Sequence, residues 1–170
     1  MNEEKSTQAS VAEEIDYSGR PFGYKDTNNE TAMICEHDPV IRQKISSTLK
    51  SLDFNVIEPA TFKEVLKYLN FHTFNVIVVN ENFDTGAGEI NNVLNYLEHL
   101  SMSTRRKIFV VLISTTFATM DYMHAYNKSV NLIINKDEIT ELGLILKKEI
   151  EENDYFYHAF KEFNRKYGKI

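Results

Sequence analysis

The sequence predicts an α/β fold, in which a doubly wound, five-stranded parallel sheet carries helices on both faces. Two observations support this prediction. Short apolar segments without polar alternation recur along the 170-residue chain, which is typical of strands buried on both faces of a sheet. Segments with apolar residues at helical spacing separate them. Short connections between alternating elements favour the strand order 2-1-3-4-5.

Composition narrows the class of protein. Apolar residues make up 42% of the chain and the net charge is −6, so a globular domain is expected and a nucleic-acid-binding surface is not. No apolar run is long enough to cross a membrane, and the N-terminus lacks the features of a signal peptide. Cys35 lies in an apolar run and is expected to be a small buried hydrophobe. We therefore expect a cytoplasmic protein.

The chain divides into three regions. Residues 1–30 contain seven acids and three bases with few large apolar residues, so we expect a flexible acidic tail. Its segment 21–24 is apolar enough to serve as a short anchor on the domain. Residues 31–150 hold the alternating elements and form the predicted domain. Residues 151–170 form a predicted C-terminal helical extension, packed on the domain or on a partner.

The first two strands are predicted at 32–35 and 53–57. Between them, Asp38 is a suitable N-cap and Pro39 occupies the first position of a helix, where its missing N–H is not needed. Thr61 and Glu64 then have the spacing of a capping box for a second helix.

The central strand is predicted at 75–80. It is followed by a loop containing Gly86 and Gly88. Function in an open α/β sheet lies just beyond the carboxyl ends of the strands, which directs attention to Asn80. An amide is neither a base nor an effective nucleophile.

The second half of the chain continues the alternation. A helix is predicted at 90–100, a polar connection at 101–106 and a strand at 107–113. A weaker helix carrying residues 120–126 and a strand at 130–134 follow. The final predicted helix runs from about 137 to 167, with a bend near 153–154.

Four sequence segments resemble the response-regulator receiver domain, the CheY-like member of the flavodoxin-like folds. Glu36-His-Asp-Pro39 resembles the opening after the first strand, and Val76-Ile-Val-Val-Asn80 resembles the strand that delivers the phosphoacceptor aspartate. Leu112-Ile-Ser114 resembles the strand that ends in a small hydroxyl residue, and Leu132-Ile-Ile-Asn-Lys136 the strand that ends in a lysine. The resemblance covers residues 31–150.

The resemblance implies a pocket with altered residues. In the family, two adjacent acids after the first strand hold Mg²⁺ together with the acceptor aspartate. The corresponding positions here are Glu36, His37 and Asn80. The hydroxyl position is Ser114, or Thr115 if the strand ends one residue later, and the lysine position is Lys136. The proline that usually follows the lysine is replaced by Asp137, and the aromatic residue of the last strand by Ile133.

These changes indicate a pseudo-receiver that is not an enzyme. Phosphoryl transfer needs a carboxylate acceptor and a divalent ion, and Mg²⁺ prefers carboxylate oxygens. We therefore expect no metal, no cofactor and no catalytic residue, and a pocket held by a Glu36–Lys136 ion pair with a hydrogen bond from Asn80.

Other chemistries are weaker interpretations of the same residues. His37 beside Glu36 would suit a transition metal, but a site needs three or four ligands and no second histidine follows a strand. The glycines of the loop lack the following Lys-Ser/Thr of a P-loop. Ser114 lies outside the Gly-x-Ser-x-Gly elbow of a hydrolase.

A candidate interaction surface lies in the fourth helix and the C-terminal stretch. The latter carries aromatic residues at helical spacing and extends beyond the usual end of a receiver. It either folds back on the domain or contacts a partner, including a second copy. The residues assigned to this surface are Met120, Tyr122, Met123, Tyr126, Phe156, Phe160 and Phe163.

The leading hypothesis is an atypical receiver in two-component or phosphorelay signal transduction. It would act without phosphorylation, through contact with a signalling kinase or an output protein. The alternative is a small-ligand or nucleotide sensor that binds near Asn80, Ser114 and Lys136. A third hypothesis is a working phosphoreceiver with a different acceptor.

Overall fold

The computed structural model describes residues 30–86 and 89–167. The proposed acidic tail, apart from Glu30, lies outside the described residues, together with its apolar anchor at 21–24. Gly88 of the expected glycine loop also lies outside them.

A five-stranded parallel sheet in the order 2-1-3-4-5 forms the centre of the domain, which confirms the predicted topology. Its strands are β1 (Thr31–Cys35), β2 (Asn55–Ile57), β3 (Val76–Asn80), β4 (Phe109–Ser114) and β5 (Leu132–Asn135). The four apolar residues of β3 are buried, as its unalternating pattern requires. The central strand β3 pairs with β1 and β4, so Asn80 ends between two neighbouring strands.

Helices follow or connect these strands throughout the described part of the chain. They are α1 (Pro39–Ser51), α2 (Phe62–Phe71), α3 (Asn92–Glu98), α4 (Met102–Arg105), α5 (Tyr122–Asn127), α6 (Leu142–Phe156) and α7 (His158–Lys166), with a 3₁₀ helix at Lys136–Glu141 before α6. Buried residues of α1 and α6 share one core layer, and those of α2, α3 and α5 share the other. The sheet is therefore covered on both faces, and the predicted C-terminal helix is present.

The predicted helix starts are confirmed at two positions. The Asp38 side chain accepts hydrogen bonds from the backbone N–H groups of Val40 and Ile41. The Thr61 hydroxyl accepts from the Glu64 N–H, and the Glu64 carboxylate accepts from the Ala60 N–H. Local sequence chemistry therefore fixes where α1 and α2 begin.

The predicted polar connection at 101–106 is wrong in detail, because it contains the short helix α4. Arg105 at its end donates to the carbonyl groups of Ile108 and Ser129 and to the Asn131 side chain. The bonds to Ser129 and Asn131 are long-range and anchor the end of α4, and no local pattern of residues indicated them.

Several further boundaries differ from the expectation, among them the start of α5 and the bend in the final helix. Met120 precedes α5 rather than lying in it, and its backbone has a positive φ of 61°. The bend predicted near 153–154 lies at Tyr157, between α6 and α7. Asn153 stays inside α6, where its side chain accepts a hydrogen bond from Asn131. No helix within the described ranges has the length and apolarity needed to span a membrane.

Candidate functional site

The candidate site is a small cleft at the carboxyl ends of the strands. Its volume is about 190 Å³, and it is lined by Glu36, His37, Asn80, Asn82, Phe83, Thr115 and Lys136. Four of the five residues that the sequence assigned to a pocket therefore surround one cleft. Ser114 does not line it, because its side chain is buried and forms hydrogen bonds elsewhere.

Glu36 and Asn80 form the floor of the cleft. The Asn80 side-chain amide donates to the Glu36 carboxylate at 2.6 Å, and the other Glu36 oxygen accepts from the Asp38 N–H at 2.9 Å. The Asn80 side-chain oxygen accepts from the Asn82 N–H. Glu36 is only 3% exposed, so these bonds supply the hydrogen-bond partners that a buried carboxylate requires.

The expected Glu36–Lys136 pair is wrong, because Lys136 pairs with Asp38. The Lys136 ammonium lies 3.1 Å from the Asp38 carboxylate. Asp38 is partly exposed at the start of α1, whereas Glu36 is buried and already bonded through both oxygens. The hydrogen bond from Lys136, together with the one from the Ile41 N–H, lowers the pKa of Asp38.

His37 covers one side of the cleft. Its ring stacks on Phe83 with 4.6 Å between centroids, and its Nε2 accepts from the Asp84 N–H at 3.1 Å. Accepting this bond requires Nε2 to be unprotonated. The Asp84 carboxylate in turn accepts from the Phe62 N–H at the start of α2. The imidazole thus joins the end of β1 to the loop after β3.

Glu81 is a residue that sequence reasoning missed. Its carboxylate accepts hydrogen bonds from the Ser114 hydroxyl and from both the N–H and the hydroxyl of Thr115, each at 2.7 Å. Burial raises the pKa of Glu81, but these three hydrogen bonds outweigh it, so the pKa is lowered overall. The sequence did contain a signal for this contact, since an acid directly follows β3 and hydroxyl residues end β4. Neighbouring parallel strands end at the same edge of the sheet, so these side chains could be expected to meet.

Asn91 is a second residue that sequence reasoning missed. It is buried at the N-cap of α3, where its side-chain oxygen accepts from the Val93 and Leu94 N–H groups. Its side-chain amide donates to the backbone carbonyls of Asn80 and Glu81. Asn91 therefore holds the end of β3 against the start of α3.

The residues of the cleft do not fit the Mg²⁺ site of a receiver. The acceptor position presents an amide N–H toward Glu36, and the second acidic position is a histidine whose Nε2 is occupied by a backbone N–H. Within the described ranges, no group of three or more Asp, Glu, His or Cys residues is placed to hold a metal ion. Glu36 alone cannot replace a set of carboxylate ligands.

The proposed interaction surface is only partly exposed. Met123 and Tyr126 on α5 are 73% and 84% exposed, and Phe156 is 77% exposed at the end of α6. Met120 packs against the core. On α7, Phe160 is half-buried beneath the Arg106 guanidinium, which lies 5.4 Å from its ring centre.

The remaining two surface residues are also accounted for. Tyr122 is exposed, but its hydroxyl donates to the buried Glu149 carboxylate of α6. Phe163 is exposed on α7. The aromatic stretch therefore covers part of the domain through Phe160 and leaves other aromatic rings accessible.

The fold is that of response-regulator receiver domains. Solved structures similar to the chain include CheY4 of Vibrio cholerae, with 16% identity over 72% of this chain and 98% of that one and a TM-score of 0.56. A CheY-like receiver domain protein from Methanospirillum hungatei has 16% identity over 75% and 98% and a TM-score of 0.57. A response regulator from Thermotoga maritima has 18% identity over 72% and 98% and a TM-score of 0.56.

No protein-family model and no curated protein sequence matches the chain. At the identities of the solved structures, the likeness establishes a shared backbone architecture. The chemistry must therefore be argued from this chain's own residues.

Proposed function

We propose that this domain is an atypical receiver in two-component or phosphorelay-type signal transduction that works without phosphorylation. Its fold supports a signalling role, since the similar structures include a chemotaxis response regulator and other receiver domains. The proposed vestigial pocket comprises Glu36, His37, Asn80 and Lys136, which line the cleft. Ser114 is the matching hydroxyl position but is buried outside the cleft. Under this proposal, the domain catalyses no reaction and needs no cofactor.

The 2.6 Å hydrogen bond from Asn80 to Glu36 is the observation that carries the proposal. It places a neutral amide where the resemblance requires an acceptor carboxylate, and it occupies one oxygen of the buried Glu36 carboxylate. Lys136 is bonded to Asp38 rather than directed at an incoming anion. The side-chain oxygen of Asn80 is too weak a nucleophile to accept a phosphoryl group in place of a carboxylate.

Protein contact is the proposed mode of action. Met123, Tyr126 and Phe156 expose apolar surface that the described part of the domain does not cover. A signalling kinase, an output protein or a second copy of the domain is the expected partner. The boundary between the domain at 31–150 and the extension at 151–170 is part of this proposal, although α6 runs without interruption across residue 150.

An amide NMR titration with Mg²⁺ and then beryllofluoride tests the loss of phosphorylation. We expect the signals of Glu36, Asn80, Ser114 and Lys136 to stay unchanged, and no label to be transferred from radioactive acetyl phosphate. A receiver with an intact acceptor aspartate is the positive control. Shifts at these residues, or label on any side chain, would contradict the proposal.

Site-specific photocrosslinking tests the contact surface. A photoreactive residue at Met123 or Tyr126 is expected to capture a signalling kinase, an output protein or a second copy of the chain. The same residue at Lys67, which is exposed on α2, is the matched control. Equal capture from both positions would remove the support for this surface.

The small-ligand alternative has less support. A cleft of about 190 Å³ is smaller than the ~300–1,000 Å³ of typical ligand sites, and the Glu36 and Asn80 side chains are bonded to each other. A ligand that co-purifies with the chain and shifts the Asn80 and Lys136 signals would favour this alternative instead.

A further inference from the structure

The end of β4 presents three hydrogen-bond donors to one point. They are the Ser114 hydroxyl, the Thr115 N–H and the Thr115 hydroxyl, and each lies 2.7 Å from a Glu81 carboxylate oxygen. We propose that these donors form an anion-binding site and that the Glu81 carboxylate occupies it. The anion that fixes the end of β4 is then a side chain of the same protein. The proposal does not depend on whether the domain can be phosphorylated.

The donor set has the composition of an anion site. A backbone N–H and two hydroxyls converge on a carboxylate, and hydrogen bonds to an ionised acceptor are stronger than neutral ones. No lysine or arginine forms an ion pair with Glu81 among the residues that the structure covers. The negative charge is therefore stabilised mainly by these donors.

The backbone of Glu81 directs its side chain to this site. The Glu81 N–H donates to the Ile113 carbonyl at 3.0 Å, which extends the β3–β4 ladder by one residue. Asn91 holds the Glu81 carbonyl from the other side at 3.1 Å. With its main chain fixed at both groups, the Glu81 side chain starts beside the end of β4, and only its own rotamers remain to be ordered when the three bonds form.

The Glu81 site is connected to α5 through the loop after β4. The Ser114 oxygen that donates to Glu81 also accepts from the Thr116 and Phe117 N–H groups, at 3.0 and 3.1 Å. The Phe117 ring lies 4.5 Å from the His124 ring of α5. Fixing the Ser114 rotamer therefore fixes the loop after β4 and one contact of the helix that exposes Met123 and Tyr126.

The bond to Glu81 also keeps the Ser114 hydroxyl away from the cleft. Ser114 is 1% exposed and does not line the cleft, whereas Thr115 does. An external anion in the cleft cannot recruit the Ser114 hydroxyl while Glu81 is bonded to it. The loop after β4 is thereby held in one state whatever the cleft contains.

Hydrogen exchange in the full chain tests the proposal. In Glu81→Ala, the amide of Thr115 should exchange about tenfold faster, because it loses a bond to a charged acceptor. Sodium acetate supplies the missing carboxylate and should restore slow exchange, whereas sodium chloride at equal ionic strength should not. The amide of Val110, within β4, reports that the sheet remains folded.

Glu98→Ala is the matched control, since it removes the same charge from an exposed position of α3. Its Thr115 amide should exchange at the wild-type rate, with no response to acetate. Unchanged Thr115 exchange in Glu81→Ala would overturn the proposal. So would faster exchange that acetate leaves unchanged, because the donors would then not form an anion site. Either result leaves the phosphorylation test unaffected.

Discussion

The Asn80 side-chain amide donates a 2.6 Å hydrogen bond to the Glu36 carboxylate, and this bond joins the end of the central strand to the end of its neighbour β1. A carboxylate at residue 80 would place two negative charges at the same separation in a mostly buried site. The amide instead supplies this buried carboxylate with a hydrogen-bond donor.

Asn80→Asp is expected to destabilise the domain. At pH 7 the free energy of unfolding should fall by about 1–3 kcal/mol, because a stabilising bond is replaced by repulsion between two carboxylates. In the folded variant, the new carboxyl group and Glu36 form a pair of neighbouring acids. The repulsion between them raises the pKa of one of the two. The loss should therefore diminish as the pH falls through that raised pKa and the pair takes up a proton.

Urea unfolding at several pH values measures this effect. Asn82→Asp is the control, since it makes the same chemical change at an exposed position two residues further along the chain. A variant at residue 80 that matches this control at every pH would show that the Glu36 contact contributes nothing to stability.

Asp38 has two roles that its variants can separate. It caps α1 and pairs with Lys136, so the thermal midpoint should decrease in the order wild type, Asp38→Asn, Asp38→Ala. Asparagine keeps the cap and loses the ion pair, whereas alanine loses both. If the Asn and Ala variants melt together, the cap contributes nothing measurable.

The pH dependence of the Asp38 variants follows from the lowered pKa. A carboxyl whose pKa is lower in the folded state stabilises the fold above its unfolded pKa, and the effect is lost as the pH falls through the folded pKa. The wild type and Asp38→Asn should therefore converge in stability below about pH 4. A gap that stays constant between about pH 4 and about pH 2 would contradict this assignment.

Ser46 has a buried hydroxyl without a hydrogen-bond partner among the described residues. Ser46→Ala should raise the free energy of unfolding by about 1 kcal/mol, because it removes an unsatisfied polar atom and adds a better helix former. Ser47→Ala is the comparison on the same helix, where the hydroxyl is exposed and donates to the Lys44 carbonyl. Chemical unfolding of both variants isolates the buried hydroxyl, and equal effects would argue against an unsatisfied group.

The aromatic residues of the C-terminal region are expected to differ in their effects on stability. Phe156→Ser and Phe163→Ser should change the free energy of unfolding by no more than ~0.5 kcal/mol, because both rings are exposed. Phe160→Ser should cost more, since its ring is half-buried and lies beneath Arg106.

Unfolding is best measured at two protein concentrations for this series. A midpoint that rises with concentration in the wild type, and does so less in Phe156→Ser, would assign the exposed face to a dimer. Larger losses at Phe156 and Phe163 than at Phe160 would show that the first two rings are packed in the free domain.

The sequence by itself determined the architecture and several local boundaries. Buried strands require continuous apolar runs, and helix starts require particular side chains such as Asp38 and Thr61, so both patterns are local and can be recognised one segment at a time. The gathering of Glu36, Asn80 and Lys136 at one edge follows from the same strand order.

Only the tertiary structure decided which polar groups bond to one another. Lys136 pairs with Asp38 rather than Glu36, and Glu81 rather than the cleft holds Ser114. These choices depend on ångström-scale distances between segments far apart in the chain, and on which carboxylate oxygens are already bonded. Hydrogen bonds weaken steeply with distance and misalignment. A pattern of residue types therefore places such groups near one another but does not pair them.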